Sequence, residues 1–116
     1  MTLLTKEQIL AHDDLKSEIV PVPEWGGEVR VCTMSGFARD RFEAGITGKN
    51  GGMNMQNIRA KLAAATIIDE AGKLLFDEND LVKLGNKSCA ALDRVFAAAQ
   101  RLNLITNSDV EELAKN

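Results

Sequence analysis

The sequence predicts a single α+β domain, residues 1–116, mostly helical, with one N-terminal antiparallel β-hairpin packed on a small helical bundle. Three observations lead there. Valines alternate with polar or cyclic neighbours on both sides of a Gly-Gly pair between Ile19 and Thr33, the period of a half-buried strand pair. Beyond Ser35 apolar residues recur every three to four positions, with capping and stop residues between the runs, the pattern of amphipathic helices. A chain of 116 residues, 45% of them hydrophobic, suffices for one core and contains no linker long enough to divide it.

Thr5-Lys6-Glu7-Gln8 has the spacing of a capping box, so a short helix carrying Ile9 and Leu10 opens the chain and ends near His12-Asp13-Asp14. The hairpin, about residues 19–34, holds both prolines, Pro21 and Pro23, in its first strand. Proline has no N–H to donate. A two-residue Gly26-Gly27 loop would make Pro23–Arg30 and Pro21–Cys32 hydrogen-bonded pairs. A four-residue loop, Trp25 to Glu28 closed by Glu24 and Val29, turns both proline nitrogens outward instead. The first strand is then a sheet edge whose rim lacks donors at two alternate positions, while the second strand stays free to pair. On the alternative reading the prolines only stiffen a surface hairpin. Because an isolated hairpin is marginal in water, Val20, Val22, Val29 and Val31 must face helices.

Ser35 caps a helix over 36–46 with Phe37, Phe42 and Ile46 as its apolar contacts, and "TGKNGG" breaks it. The longest helical pattern covers about 54–68, starting at Asn54, with Met55, Ile58, Leu62, Ala65 and Ile68 on one face; Gly72 in "DEAGK" is its left-handed stop. Leu74, Leu75 and Phe76 form an apolar tether, Asp77 caps a helix at about 78–84, and Gly85 stops it. Ser88 begins the strongest helix, about 88–102, with Leu92, Val95, Phe96, Ala99 and Leu102 along one side. A last capping box, Ser108 to Glu111, opens a helix at about 108–115.

Composition and motifs narrow the function. A net charge of −3, with fourteen bases scattered among seventeen acids, leaves no electrostatic footprint for nucleic acid or an anionic membrane. Cys32 and Cys89 belong to no C-x-x-C motif and sit in apolar patterns, which suits a reducing compartment. With no leader and no run of spanning length, the expected location is the cytoplasm. "GITGKN" fails the spacing of a phosphate loop. "DENDLVKLGNKS" has alternating acids like a calcium loop, but Val82 replaces its glycine and Ser88 its glutamate. No metal or cofactor is expected. His12 beside Asp13 could orient a base, but nothing nearby supplies further ligands or a nucleophile, and a helix end is the simpler role. The alanine-rich face after Ser88 reads as core before it reads as a partner seam. Trp25, at the turn and on the face opposite the valines, either folds over the hairpin or is offered to a partner.

The order of the pieces, "LTKEQIL", "VPEWGGEVRV", "SGFARDRFEA", "NIRAKLAAATIIDEAGKLLF", "ALDRVFAAAQRLN" and "VEELAKN", resembles the tail assembly chaperones of long-tailed, non-contractile bacteriophages and prophages. The likeness spans nearly the whole chain and rests on structural motifs without a catalytic signature. It implies a non-enzymatic role: reversible binding of the long helical tape-measure protein in the host cytoplasm, recruitment of tail-tube subunits, and departure before the virion is mature. It also implies that this chain is the shorter product of a gene whose −1 frameshift adds a second domain contacting the tube protein. Codons for Ala114-Lys115-Asn116 can contain the slippery heptamer A-AAA-AAC; on the alternative reading "ELAKN" is only the end of a capped helix whose lysine complements the helix dipole. Two other readings stay open, a virion adaptor at the head-tail or tail-completion position and, remotely, a small enzyme using His12. Self-association into open-ended multimers is expected because a long partner needs many copies. The candidate contacts are Trp25 and Arg30 on the hairpin's outer face and Phe37 and Phe42 on the next helix.

Overall fold

The structure is a computed structural model that describes residues 2–47 and 55–104. Its elements are α1 (Lys6–Ala11), β1 (Ser17–Val22), β2 (Gly27–Cys32), α2 (Gly36–Ile46), α3 (Ile58–Thr66), β3 (Ile67–Ile68), α4 (Leu81–Gly85) and α5 (Cys89–Leu102), with 3₁₀ turns at Pro23–Trp25 and Glu78–Asp80. The mostly helical α+β class is as expected. Two expectations lie outside the described residues, Asn54 with most of "TGKNGG", and the capping box at Ser108 with everything after it. The predicted start of the long helix is corrected: residues 55–57 are not helical, Asn57 stands in the left-handed region at φ 60°, and α3 begins only at Ile58.

Local chemistry accounts for the first element. Thr5 Oγ1 accepts the Gln8 N–H at 3.2 Å and Gln8 Oε1 accepts the Thr5 N–H at 2.9 Å, closing the capping box.

The hairpin forms in a different register from the one predicted. Val22 pairs with Gly27, Pro21 with Glu28 and Val20 with Val29, so the loop is Pro23–Gly26 rather than Trp25–Glu28. The reason lies in the turn residues. Pro23, with its fixed φ, opens the 3₁₀ turn, Gly26 closes it at φ 74° with its N–H donated to the Pro23 carbonyl at 3.0 Å, and Gly27 is already strand. The shift moves each partner by an even number of residues, so every side chain keeps its face. The Thr33 N–H donates to the Lys16 carbonyl at 2.8 Å, making that pair hydrogen-bonded. By alternation Pro21 then occupies a non-bonded position with its nitrogen outward. β1 is a sheet edge, as expected.

The opposite side of β2 is occupied. β3 pairs with it antiparallel through Arg30–Ile68 and Val31–Ile67, giving a sheet of order β1-β2-β3, and Leu74 bridges back onto Ile68. This corrects the prediction that 67 and 68 end the long helix and that Gly72 stops it. α3 ends at Thr66, whose buried hydroxyl donates to the Leu62 carbonyl at 2.7 Å. The β-branched pair Ile67-Ile68 then takes up the open edge of β2. Asp69 reverses the chain, its Oδ1 accepting the N–H groups of Ala71 and Lys73, with Gly72 at φ 86°.

Val22 and Val31 are fully buried and Val20 nearly so, and this face of the sheet packs on α5 and α3. α5 contributes Ala91, Leu92, Val95, Ala98 and Ala99 to the core, so its alanine face is interior. The helix predicted over 78–84 is a 3₁₀ turn followed by α4. Gly85 is its last helical residue rather than a stop, and a Cβ there would overlap the Asn57 amide, which donates to the Leu81 carbonyl at 3.0 Å. The acids that mimic a calcium loop are capping groups: Asp77 Oδ1 accepts the Asn79 N–H and Asp80 Oδ2 the Asp77 N–H.

Candidate functional site

α2 is held at its start by Ser35 Oγ, which accepts the Ala38 N–H at 3.1 Å. Its Phe42 and Ile46 are buried, where α2 packs on α3, while Phe37 stands 74% exposed with the Arg41 guanidinium 6.0 Å from its ring centre. Across from α2, the reversal at Asp69–Gly72 brings Leu74 and Phe76 alongside Ile68. Between these walls runs an open apolar groove of about 740 Å³, with Ala64 and Ala65 of α3 leaving room where larger side chains would fill it. Arg41 and Glu78, paired at 3.4 Å, and Lys61 supply charge among its lining residues. Such a surface can hold apolar side chains presented by an amphipathic segment.

One end of the groove is braced from α5. Asn103 Oδ1 accepts the Met34 N–H at 2.6 Å, and its Nδ2 donates to the Cys32 carbonyl at 3.3 Å and the Ala99 carbonyl at 2.9 Å. Cys32 and Met34 both line the groove. Burial raises the pKa of the Cys32 thiol.

Of the four candidate contact residues, Phe37 and Phe42 come together along the groove, Phe42 as a buried wall. Trp25 and Arg30 lie elsewhere. Trp25 is half-buried and packs against the core, which corrects its placement opposite the valines: the 3₁₀ turn carries it toward α5. Arg30 is on the outer face of β2, its Nη1 donating to Ser17 Oγ at 3.3 Å. Sequence reasoning missed the opposing wall at Leu74 and Phe76 and the brace at Asn103. The Asp69-to-Gly72 turn between two apolar pairs was the available signal for the former.

Pro21 removes a donor from the β1 edge. α5, packed on the buried face of the sheet, pairs Arg101 with Glu18 at 2.7 Å and Arg94 with Glu24 of the turn at 2.8 Å. The hydrogen bond from Arg94 holds the Glu24 carboxyl below its ordinary value, and Arg59 does the same for Asp93. His12 is exposed at the end of α1, where its backbone N–H donates to the Ile9 carbonyl. Among the described residues no three His, Cys, Asp or Glu side chains gather as a metal site would need, and no helix is long and apolar enough to cross a membrane.

No family model and no curated protein matches this sequence. A solved structure does match, that of the bacteriophage HK97 tail assembly chaperone, with a TM-score of 0.59 over 87% of this chain and 95% of that one. The chain has the fold of a phage tail assembly chaperone. At 18% identity the likeness is one of backbone architecture. It carries no residue of the groove from one protein to the other.

Proposed function

We propose that this protein is a phage tail assembly chaperone that binds the helical tape-measure protein reversibly, without chemistry, and helps recruit tail-tube subunits. The observation that carries the reading is the fold shared with the HK97 chaperone across nearly the full length of both chains. The apolar groove beside α2 supports it, since an amphipathic helix presents apolar residues at i, i+3, i+4 and i+7 to such a surface. The guarded β1 edge supports it too, because a protein that must associate by chosen surfaces benefits from blocking strand addition elsewhere. Self-association along a long partner, action in the bacterial cytoplasm, absence from the mature particle and a frameshifted longer form that contacts the tube protein belong to the same reading.

The test is co-expression. The tape-measure protein of the same phage is expected to be more soluble when made together with this chain than when made alone, and to co-purify with it. Failure to change its solubility would count against the proposal. Finding the chain as a stoichiometric part of purified virions would favour an adaptor role instead.

A further inference from the structure

We infer that residues 105–116 dock in the α2 groove of their own chain and occupy it until a partner displaces them. Whatever fills the groove must bring apolar side chains, since Phe37 and Phe42 stand on one wall and Leu74 and Phe76 on the other. Three stretches of the sequence could supply them. The N-terminal arm is described and stays out of the groove: residues 2–16 are exposed, α1 buries nothing, and no α1 residue lines the groove. Residues 48–54, G-K-N-G-G-M-N, offer one large apolar side chain, Met53. Residues 105–116, I-T-N-S-D-V-E-E-L-A-K-N, have a helical apolar period: behind the capping-box spacing of Ser108 and Glu111, Val110, Leu113 and Ala114 recur at i, i+3 and i+4.

The place where the chain leaves α5 selects this segment. Asn103, directly after α5, accepts the Met34 N–H at 2.6 Å and donates to the Cys32 carbonyl at 3.3 Å, and both Cys32 and Met34 line the groove. Leu104 stands in the left-handed region at φ 54°, which turns the backbone off the axis of α5 at the groove's rim. Residues 105–107 span at most about 10 Å and an eight-residue helix adds about 12 Å, against about 15 Å of α2 between the groove residues Ser35 and Gly45. The charges are compatible. With Val110, Leu113 and Ala114 toward the groove, helical spacing sets Asp109 and Glu111 on the two flanks of that face. In the groove Arg41 pairs with Glu78 and Asp77 accepts the Asn79 N–H, which leaves Lys61 without a counter-ion among the described residues.

A tethered segment needs little affinity of its own. A linker of three residues holds it at an effective concentration in the millimolar range, so a contact with a Kd of about 1 mM already fills the groove most of the time. A client helix then meets a groove that is open only part of the time, and its apparent affinity falls by that fraction; this competition rests on the functional reading above, whereas the docking itself does not.

The experiment uses full-length chains. In the double variant Val110→Asp, Leu113→Asp, amide exchange in α2 and across residues 68–76 should run about threefold or more faster than in the parent, as expected when a groove that was mostly filled is emptied. Unchanged exchange in β2 and α5 shows that the fold is intact. A fluorescent peptide of residues 105–116 should bind the double variant, and adding Phe37→Asp, a change at an exposed position, should weaken it about tenfold, the scale of losing one large apolar contact. In a chain carrying Cys32→Ala and Cys89→Ala, Leu113→Cys and Ala38→Cys should form a disulfide within one chain at high dilution. Unchanged exchange in the double variant, no peptide binding, or disulfides formed only between chains would each overturn the inference. A soluble tape-measure segment is titrated separately and should bind the double variant about threefold or more tighter than the parent; equal binding would overturn the competition. If neither chain binds that segment while the intrachain contact is present, the chaperone reading fails alone, and loss of the intrachain contact leaves that reading intact.

Discussion

Asn103 ties the end of α5 to the segment that leads into α2, and replacing it by alanine tests whether that tie holds the groove's wall. The change removes the acceptor of the Met34 N–H and the donor to the Cys32 and Ala99 carbonyls. The site is partly buried, so each abandoned backbone group costs less than the full penalty of about 1–3 kcal/mol for a buried unsatisfied group. The Ala99 carbonyl still accepts the Asn103 backbone N–H, which leaves two groups exposed to loss and a total of about 2 kcal/mol. For a domain of this size that corresponds to a fall in Tm of about 8 °C. Asn103→Asp sharpens the test. It keeps an acceptor for Met34 but turns an anion toward two carbonyls, so at neutral pH it should destabilise at least as much as alanine. The carboxyl is favoured in its protonated form in the folded state, so the variant should regain stability as pH falls through the carboxylate range. Urea unfolding at pH 7 and at pH 4.5 measures both. An alanine variant within about 0.5 kcal/mol of the parent, the range of ordinary surface substitutions, would refute the reasoning.

Glycine replacements should split by environment. Gly85→Ala meets the Asn57 amide and should destabilise by about 1–2 kcal/mol despite its better helix propensity, whereas Gly45→Ala in α2, with open space around it, should stabilise by about 0.5–1 kcal/mol in the same denaturation assay. The lowered Glu24 and Asp93 pKa values mean the unfolded chain binds protons at higher pH than the folded one. Their contribution is complete above the ordinary carboxylate range and is lost as pH falls through and below it; Glu24→Gln with Asp93→Asn should flatten that acid limb of the stability profile. Alkylation of the native protein should modify exposed Cys89 well before half-buried Cys32, whose thiol is pushed toward its protonated form; equal rates, followed by mass spectrometry, would contradict the packing of β2.

Much of the fold was legible because period and face are local properties. The valine alternation identifies the buried face of the hairpin even though the register differs, since the difference is an even shift. The register itself depended on which residues turn, and Gly26-Gly27 looked like the centre of the loop when Pro23 starts it and Gly27 is already paired. β3 was invisible for another reason. Two residues are too few to show a period of two, and Ile68 also continues the helical spacing of Ile58, Leu62 and Ala65. What decides between them is the unpaired edge of β2, a tertiary fact. The groove is tertiary throughout: Phe37 and Phe42 announce an apolar helix, but the second wall exists only once Asp69 and Gly72 fold Leu74 and Phe76 back beside it. Asn103 carries no signal of its own, because an asparagine after a helix reads simply as its end.

The central proposal is that this chain holds the tape-measure protein by non-covalent contact at the groove beside α2. Amide hydrogen exchange of the chain, with and without a soluble segment of that protein, tests it most directly. The account predicts saturable binding that slows exchange in α2 and across Ile68–Phe76, while the outer face of β1 is unchanged. Saturated binding that leaves those segments exchanging at their free rates, or no binding at any concentration, would contradict it.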